Sequence, residues 1–314
     1  MGKMRLIREA YGTTEGFCLV KSAAVRTDVK GSEYMDMVLA DCDGECVAKL
    51  WNYSRLTHGE YDANDIVKVR GSVQVWKDTE QFKIDRIRKA TEDDPVDMRL
   101  IIPCAPFDPA EMYDELYSTA GTFTDEELKR IVQYLLRENR EQLLLFPAGV
   151  KLHHATRSGL LHHTCAVVKL AKSIADLYPS LHRDLLLAGA ILHDIGKLKE
   201  LDANSLGIAG AYTNMGQLLG HINVGMTMVA QAAEITMISE KTAMLLEHMI
   251  LSHHGKPEFG SPRLPMFPEA EVLSICDLLD SKMYEMDAAL DGVSQDGFSE
   301  RQWALDNRQL FKID

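Results

Sequence analysis

In this 314-residue chain all but one of the eleven histidines lie at or beyond position 153, several of them beside acids. His193-Asp194 follows the segment Leu185-Leu-Leu-Ala-Gly-Ala-Ile-Leu, which is almost wholly apolar and reads as a buried helix. An imidazole and a carboxylate at the end of such a helix are costly to bury unless both are compensated. A divalent cation compensates both, taking imidazole nitrogen and carboxylate oxygen as ligands. A hydrogen-bonded core pair is the plainer alternative.

The elements that must position these groups come in two kinds. Residues 15–91 alternate apolar and polar residues in short runs: Gly16–Arg26, Tyr34–Asp41, Cys46–Trp51, Asp65–Trp76 and Gln81–Arg88. Asp43-Gly44 supplies a hairpin turn, and Gly71 inside its run marks a bulge or bend. Four or five such strands suit a small, partly open barrel of the oligonucleotide-binding (OB) kind. Residues 92–107 are acidic and proline-bearing, which marks a linker. From 108 the pattern is helical. Asp108-Pro109 and Thr124-Asp-Glu-Glu are helix starts. Helical spacing follows over Thr164–Leu177, Arg183–Leu192, Ile222–Ile238, Lys241–Ser252 and about 268–290. The expected fold class is multidomain α+β: a barrel over 1–91, a linker over 92–107 and an all-α domain over 108–314.

Composition limits the function classes. Hydrophobic residues make up 46% and charged residues 26%, which is ordinary for a globular protein. No run approaches the roughly 18 apolar residues of a membrane span. The start of the chain lacks the apolar stretch of a signal peptide, so the cytoplasm is the expected compartment. Six scattered cysteines complete no zinc-ribbon spacing and read as free thiols in a reducing environment. The net charge of −13 is unevenly divided: residues 1–91 carry 15 Lys+Arg against 14 Asp+Glu, and the remainder 19 against 33. That balance neither requires nor forbids a nucleic-acid partner.

His163 in Gly159-Leu-Leu-His-His-Thr, His193-Asp194, and Asp277 in Ile275-Cys-Asp-Leu-Leu-Asp together resemble the H…HD…D signature of the HD superfamily of metal-dependent phosphohydrolases. The resemblance implies an all-α domain holding a divalent metal on those four side chains. His221, His253 and His254 resemble the extra ligands of the dinuclear branch, in which Asp194 would bridge two ions. His162 stands where many dinuclear relatives carry glutamate, so one or two ions are both open. Two cations about 3.5–4 Å apart would activate a shared water and clamp an in-line phosphoryl displacement. Lys197, one turn past His193, could reach a phosphate oxygen or be a solvated helix-end lysine. Asp194 and Lys197 are the candidate catalytic residues. His58, His182 and His248 are read as surface or packing residues.

The two-part layout resembles the YhaM family of bacterial 3′→5′ exoribonucleases over nearly the whole chain. The segments Asp43-Gly-Glu-Cys-Val-Ala-Lys-Leu-Trp, His153-His-Ala-Thr-Arg-Ser-Gly-Leu-Leu-His-His-Thr, Leu192-His-Asp-Ile-Gly-Lys, Gly220-His-Ile and Leu251-Ser-His-His-Gly carry it. It implies exonucleolytic cleavage of single-stranded RNA, with single-stranded DNA as a second candidate. It also implies a Mn2+-type cofactor, with Fe, Co, Ni and Zn open. On the barrel, Trp51, Tyr53, Trp76 and Phe82 are stacking candidates, with Lys49, Arg70, Lys83 and Arg86 as phosphate contacts. About half of the aromatics should instead face the barrel core. His154 and Arg157 are candidates for a terminal nucleotide contact or, equally, caps of their loop. The rival activities are a small-molecule HD phosphohydrolase acting on nucleotides or cyclic dinucleotides and a noncatalytic nucleic-acid-binding regulator. Gly196-Lys-Leu after the HD pair lacks the Gly-Tyr-Pro of the cyclic-dinucleotide branch. An oligomer is neither required nor supported by the sequence.

Overall fold

A computed structural model describes Met4, residues 12–76 and residues 79–313. The chain divides into two compact units, Met1–Cys104 and Ala105–Asp314.

The first unit is built on five strands: β1 (Thr13–Thr27), β2 (Glu33–Asp41), β3 (Gly44–Trp51), β4 (Ile66–Trp76) and β5 (Thr79–Lys89). Period-two alternation sets its inside and outside. On β2, Met35, Met37 and Leu39 are buried while Tyr34, Asp36 and Val38 face outward. Phe82, Val67, Val69 and Ala48 complete a core with no measurable exposure. The β2–β3 turn is held by Asp41, whose carboxylate accepts from the Asp43 and Gly44 amides at 3.0 and 3.1 Å. The ladder shifts register between Arg70 and Gly71, where the sequence places a bulge. The barrel is closed, in the order β1-β2-β3-β5-β4, rather than partly open. Closure comes from a parallel pairing of Ala48 and Lys49 on β3 with Phe82 and Lys83 on β5. Within the stretch read as a linker, Met98–Ile101 forms one helical turn, and the Leu100 carbonyl accepts from the Cys42 amide at 3.1 Å.

The second unit is helical: α1 (Pro109–Gly121), α2 (Glu126–Glu138), α3 (Gly159–Leu177), α4 (Arg183–Leu192), α5 (Asn214–Thr236), α6 (Glu240–Ser252) and α7 (Pro268–Leu290), with a short hairpin of β6 (Leu201–Ala203) and β7 (Ala209–Tyr212). Capping fixes the starts. Asp108 accepts from the Ala110 and Glu111 amides with Pro109 in the first turn, and Asp125 accepts from those of Glu127 and Leu128. Helix α4 is the axis of the unit. Every residue from Leu185 to Leu192 is buried, and α3, α6, α7 and α2 pack around it. Burying such a run contributes about 1.5–3 kcal/mol per large apolar side chain, which anchors the polar pair at its C-terminal end. Among the described residues, no helix is long and apolar enough to cross a membrane.

Candidate metal centre

The ends of helices bring the histidines together. His163 lies on α3 and Asp277 on α7, while His193-Asp194 and His253-His254 leave the C-terminal ends of α4 and α6. His221 enters through a break in α5, where Gly220 adopts φ 70° and ψ 161° and the helix starts afresh. Only glycine takes that φ without strain. A second glycine lets the pieces meet. A Cβ on Gly196 would stand 2.0 Å from the His221 carbonyl oxygen and 2.7 Å from the Gly225 nitrogen.

Asp194 sits at the middle. Its Oδ2 faces His163 Nε2 at 3.6 Å, His193 Nε2 at 3.5 Å and Lys197 Nζ at 2.7 Å. Its Oδ1 faces a different pair, His221 Nε2 at 3.6 Å and His253 Nε2 at 3.7 Å. Asp277 Oδ1 closes the first group, 3.1 Å from His163 Nε2 and 3.9 Å from His193 Nε2. His254 belongs with the second, its donor atom within 4.8 Å of those of His221 and His253. One carboxylate is thus shared between two sets of imidazoles. His163, His193 and His253 have no exposed surface, and Asp194 is 2% exposed.

The outer face of each ring is already bound. His193 Nδ1 donates to the Ala190 carbonyl at 2.9 Å, His253 Nδ1 to Ile250 at 2.6 Å and His254 Nδ1 to Phe259 at 2.8 Å. His163 Nδ1 lies 2.7 Å from Asp280 Oδ2, and His221 Nδ1 lies 3.1 Å from Glu200 Oε1. A ring that donates from Nδ1 and is neutral carries only a lone pair at Nε2. The Nε2 atoms of His163, His193, His221 and His253 then point inward at two carboxylates, and those of His163 and His193 face each other at 3.1 Å. Bare lone pairs converging in a buried site repel, so a proton, as on His163 toward Asp277, or a cation must lie between them. Asp194 Oδ1, His221 Nε2 and His253 Nε2 are buried with no hydrogen-bond partner. Orphaned atoms of this kind, on imidazole and carboxylate, are the donor set of a divalent cation. The residues fit the group.

The electrostatics point the same way. Burial alone would push Asp194 up, but the Lys197 ammonium and the surrounding imidazoles hold it well below the usual carboxylate range. Burial likewise opposes a charge on Lys197, yet Asp194 raises it above an ordinary lysine. Burial also works against His163, whose hydrogen bonds to Asp277 and Asp280 nevertheless push it up to about 9. The carboxylates that favour a proton there favour a cation equally, and a bound ion displaces that proton.

Other residues singled out from the sequence take definite places. Lys197 is 7% exposed and pairs with Asp194. His154 is 2% exposed, and its Nε2 lies 2.9 Å from Asp280 Oδ2. Arg157 donates from Nη1 to the Leu206 carbonyl at 2.7 Å, an anchor for the β6–β7 hairpin. On the barrel, Trp51 is 42% exposed and packs on Tyr34 with ring centroids 4.8 Å apart. Lys49 Nζ lies over both rings, at 5.0 and 5.7 Å. Arg70, Lys83 and Arg86 are on the outside, whereas Tyr53 and Phe82 belong to the core. The side chain of Trp76 lies outside the described residues.

Residues 160–282 match the family model "HD domain". The chain is 39% identical over 312 residues to the 3′-5′ exoribonuclease YhaM of Bacillus licheniformis, covering 99% of this chain and 98% of that protein. It is 38% identical, with the same coverage, to the YhaM proteins of Bacillus subtilis and Listeria monocytogenes. The chain belongs to the YhaM family. The match runs through both units, as the resemblance implies.

Three features of this YhaM-family chain escape sequence reasoning. Asp280 and Glu200 bind the outer nitrogens of two centre histidines, and nothing in Asp277-Leu-Leu-Asp or Lys197-Leu-Lys-Glu separates them from solvated acids. A signal existed for Asp280: it follows Asp277 by three residues on one helix, so the two share a face. Tyr34, paired with Trp51 across β2 and β3, is the third. Its signal was the outward parity of Tyr34 and Asp36.

Proposed function

We infer that this chain is a metal-dependent 3′→5′ exoribonuclease that hydrolyses the phosphodiester bonds of single-stranded RNA, with single-stranded DNA as a second substrate. The observation that carries the reading is Asp194, whose two oxygens face two separate histidine sets with locked outer nitrogens. Family membership over both units supplies the substrate class.

On this reading His163, His193 and Asp277 would hold one ion and His221, His253 and His254 the other, with Asp194 offering one oxygen to each set. Bound divalent ions lower the pKa of a water and clamp the attacking and leaving oxygens of an in-line displacement. Mn2+ is the proposed ion, and the same donor set accepts Fe, Co, Ni or Zn. The chain's own contribution is preorganisation. Lys197 keeps Asp194 ionised and places a positive charge beside the cluster, where it offsets charge growing on a phosphoryl group. The helices around α4 exclude water, so each of these charges acts in a poorly screened site. Trp51, Tyr34, Lys49 and Arg70 on the barrel would hold the strand by stacking and phosphate contact, without reading its sequence. A cytoplasmic RNA pool is the proposed target.

The test pairs metal analysis with two labelled RNAs. The purified protein should carry divalent metal, release labelled mononucleotide at once from 3′-labelled RNA, and shorten 5′-labelled RNA stepwise. A metal-loaded protein that spares RNA but hydrolyses nucleotides or cyclic dinucleotides would make the small-molecule phosphohydrolase the better reading. Retention of RNA without any cleavage would favour the noncatalytic regulator.

A further inference from the structure

Of the five histidines of the centre, all bound at Nδ1, three use backbone carbonyls and two use carboxylates. A carbonyl is fixed by its helix and offers little to adjust. A carboxylate adds charge, and the two carboxylates fall one on each side of Asp194. Asp280 Oδ2 accepts from His163, in the set facing Asp194 Oδ2. Glu200 Oε1 accepts from His221, in the set facing Asp194 Oδ1.

Each carboxylate is itself pinned. Asp280 Oδ2 also binds His154 Nε2 at 2.9 Å, and that ring packs at a tilt on Tyr284 with centroids 4.0 Å apart. Glu200 Oε1 also accepts the backbone amide of His221 at 3.0 Å, so one oxygen fixes both the ring and the start of its helix. Glu200 is only 9% exposed. Glu200 belongs to neither histidine set, and Asp280, which groups with His154 and His163, meets His163 at its outer nitrogen and not at the Nε2 that faces Asp194.

We propose that Asp280 and Glu200 are positioning residues, each setting the affinity of one ion only: Asp280 through His163 and Glu200 through His221. The proposal rests on the dinuclear reading above. Its physical basis is that an acceptor behind a ligating imidazole fixes its tautomer and orientation and raises its basicity. Because Asp280 binds His163 and His154 while Glu200 binds His221, their effects separate by half-site.

The experiment is Mn2+ titration of the full-length chain by calorimetry, with bound metal counted after gel filtration. His221→Ala and His163→Ala each leave one ion. In the His221→Ala background, Asp280→Asn should weaken the remaining ion by about 10–100-fold, the usual cost of losing such an outer partner, and Glu200→Gln should leave it unchanged. In the His163→Ala background the roles should exchange. That crossing is a readout a merely structural role would not produce, since general loosening would weaken both ions in both backgrounds. Asp280→Asn and Glu200→Gln keep volume and one oxygen acceptor. If either fails to fold, His154→Phe removes the support behind Asp280 instead and should weaken only the His163-side ion. Equal weakening in both backgrounds, or none in either, overturns the proposal. A wild-type chain that binds one ion overturns the division too, and that result appears before any carboxylate is altered.

Discussion

The two units handle charge in opposite ways. In the barrel, charged side chains stand on the outside of strands whose inward residues are apolar. Lys21–Glu45, Lys68–Glu15 and Lys89–Asp65 pair across water-exposed faces, at 2.8, 2.8 and 2.7 Å. Such pairs are worth about 0–1 kcal/mol each and are weakened by salt. In the helical unit exposed pairs such as Lys169–Glu115 also occur, but one cluster of charges is inside. Asp194, Lys197, Asp277 and three fully buried histidines share one site. There a charge without a partner costs several kcal/mol, so each group is fixed by its neighbours. An exposed charge can be replaced with little loss of structure. A buried one cannot, and its presence is evidence of what it holds.

The sharpest way to break the comparison is Asp194→Ala. Losing the shared carboxylate should remove bound metal and lower hydrolysis by at least about 10³-fold, the kinetic equivalent of several kcal/mol of Lewis-acid stabilisation. Circular dichroism should still report a folded helical unit. Equal loss of helical signal would make Asp194 a structural residue.

Next comes removal of the ions. A chelator should abolish activity and lower the melting temperature of the helical unit, by the equivalent of about 2.7 kcal/mol if metal had been present at 100 times its dissociation constant. The barrel's transition, followed by Trp51 fluorescence, should not move. A shift in both would mean that the ions stabilise more than the centre.

On the barrel, Trp51→Ala should remove about 1–3 kcal/mol of stacking, raising the KM for single-stranded RNA roughly 5–100-fold. Hydrolysis of a small activated diester should be unchanged. Lys49→Ala should flatten the salt dependence of RNA binding by about 0.7 in the log–log slope, the share of one phosphate contact. An unchanged KM in Trp51→Ala would move the stacking role elsewhere.

The smallest effect concerns Arg88, whose guanidinium grips both oxygens of Asp94 at 2.6 and 2.7 Å. That hydrogen bonding, with the Thr91 amide, holds the Asp94 carboxyl well below its usual range. A carboxyl lowered in the folded state adds stability above its unfolded pKa of 3.8, and loses it as pH falls through the lower folded value. Urea midpoints should therefore show Asp94→Asn slightly less stable than wild type at pH 7, with the gap closing below about pH 3. A gap that persists in acid would assign the effect to packing.

The sequence made the alternating strands and the amphipathic helices legible because burial on one face leaves a period. The bounds of α4 and α7 follow from it closely. The start of α5 does not: its first turns expose Met215, Leu218 and Leu219, so no apolar stripe announces them. Barrel closure was also hidden, because the β3–β5 pairing joins residues far apart in the chain. In the centre, residue type marked the histidines and the HD pair. The acceptors behind them were not legible, since an outer carboxylate differs from a solvated one only by where the fold puts it.

The break at Gly220 has a mechanical consequence. A continuous helix transmits torsion along its hydrogen-bond ladder, so a push on Leu218 would turn His221. Here the ladder is cut one residue before the ring, and Glu200 grips His221 by its amide and its imidazole together. The first turns of α5 rest on the same segment, since the Thr213 amide donates to the Glu200 carbonyl at 2.9 Å and a Cβ on Gly216 would stand 2.3 Å from that oxygen, so both sides of the break share one anchor. The aim of the imidazole is therefore set by Glu200 and its neighbours and not by an unbroken helical ladder.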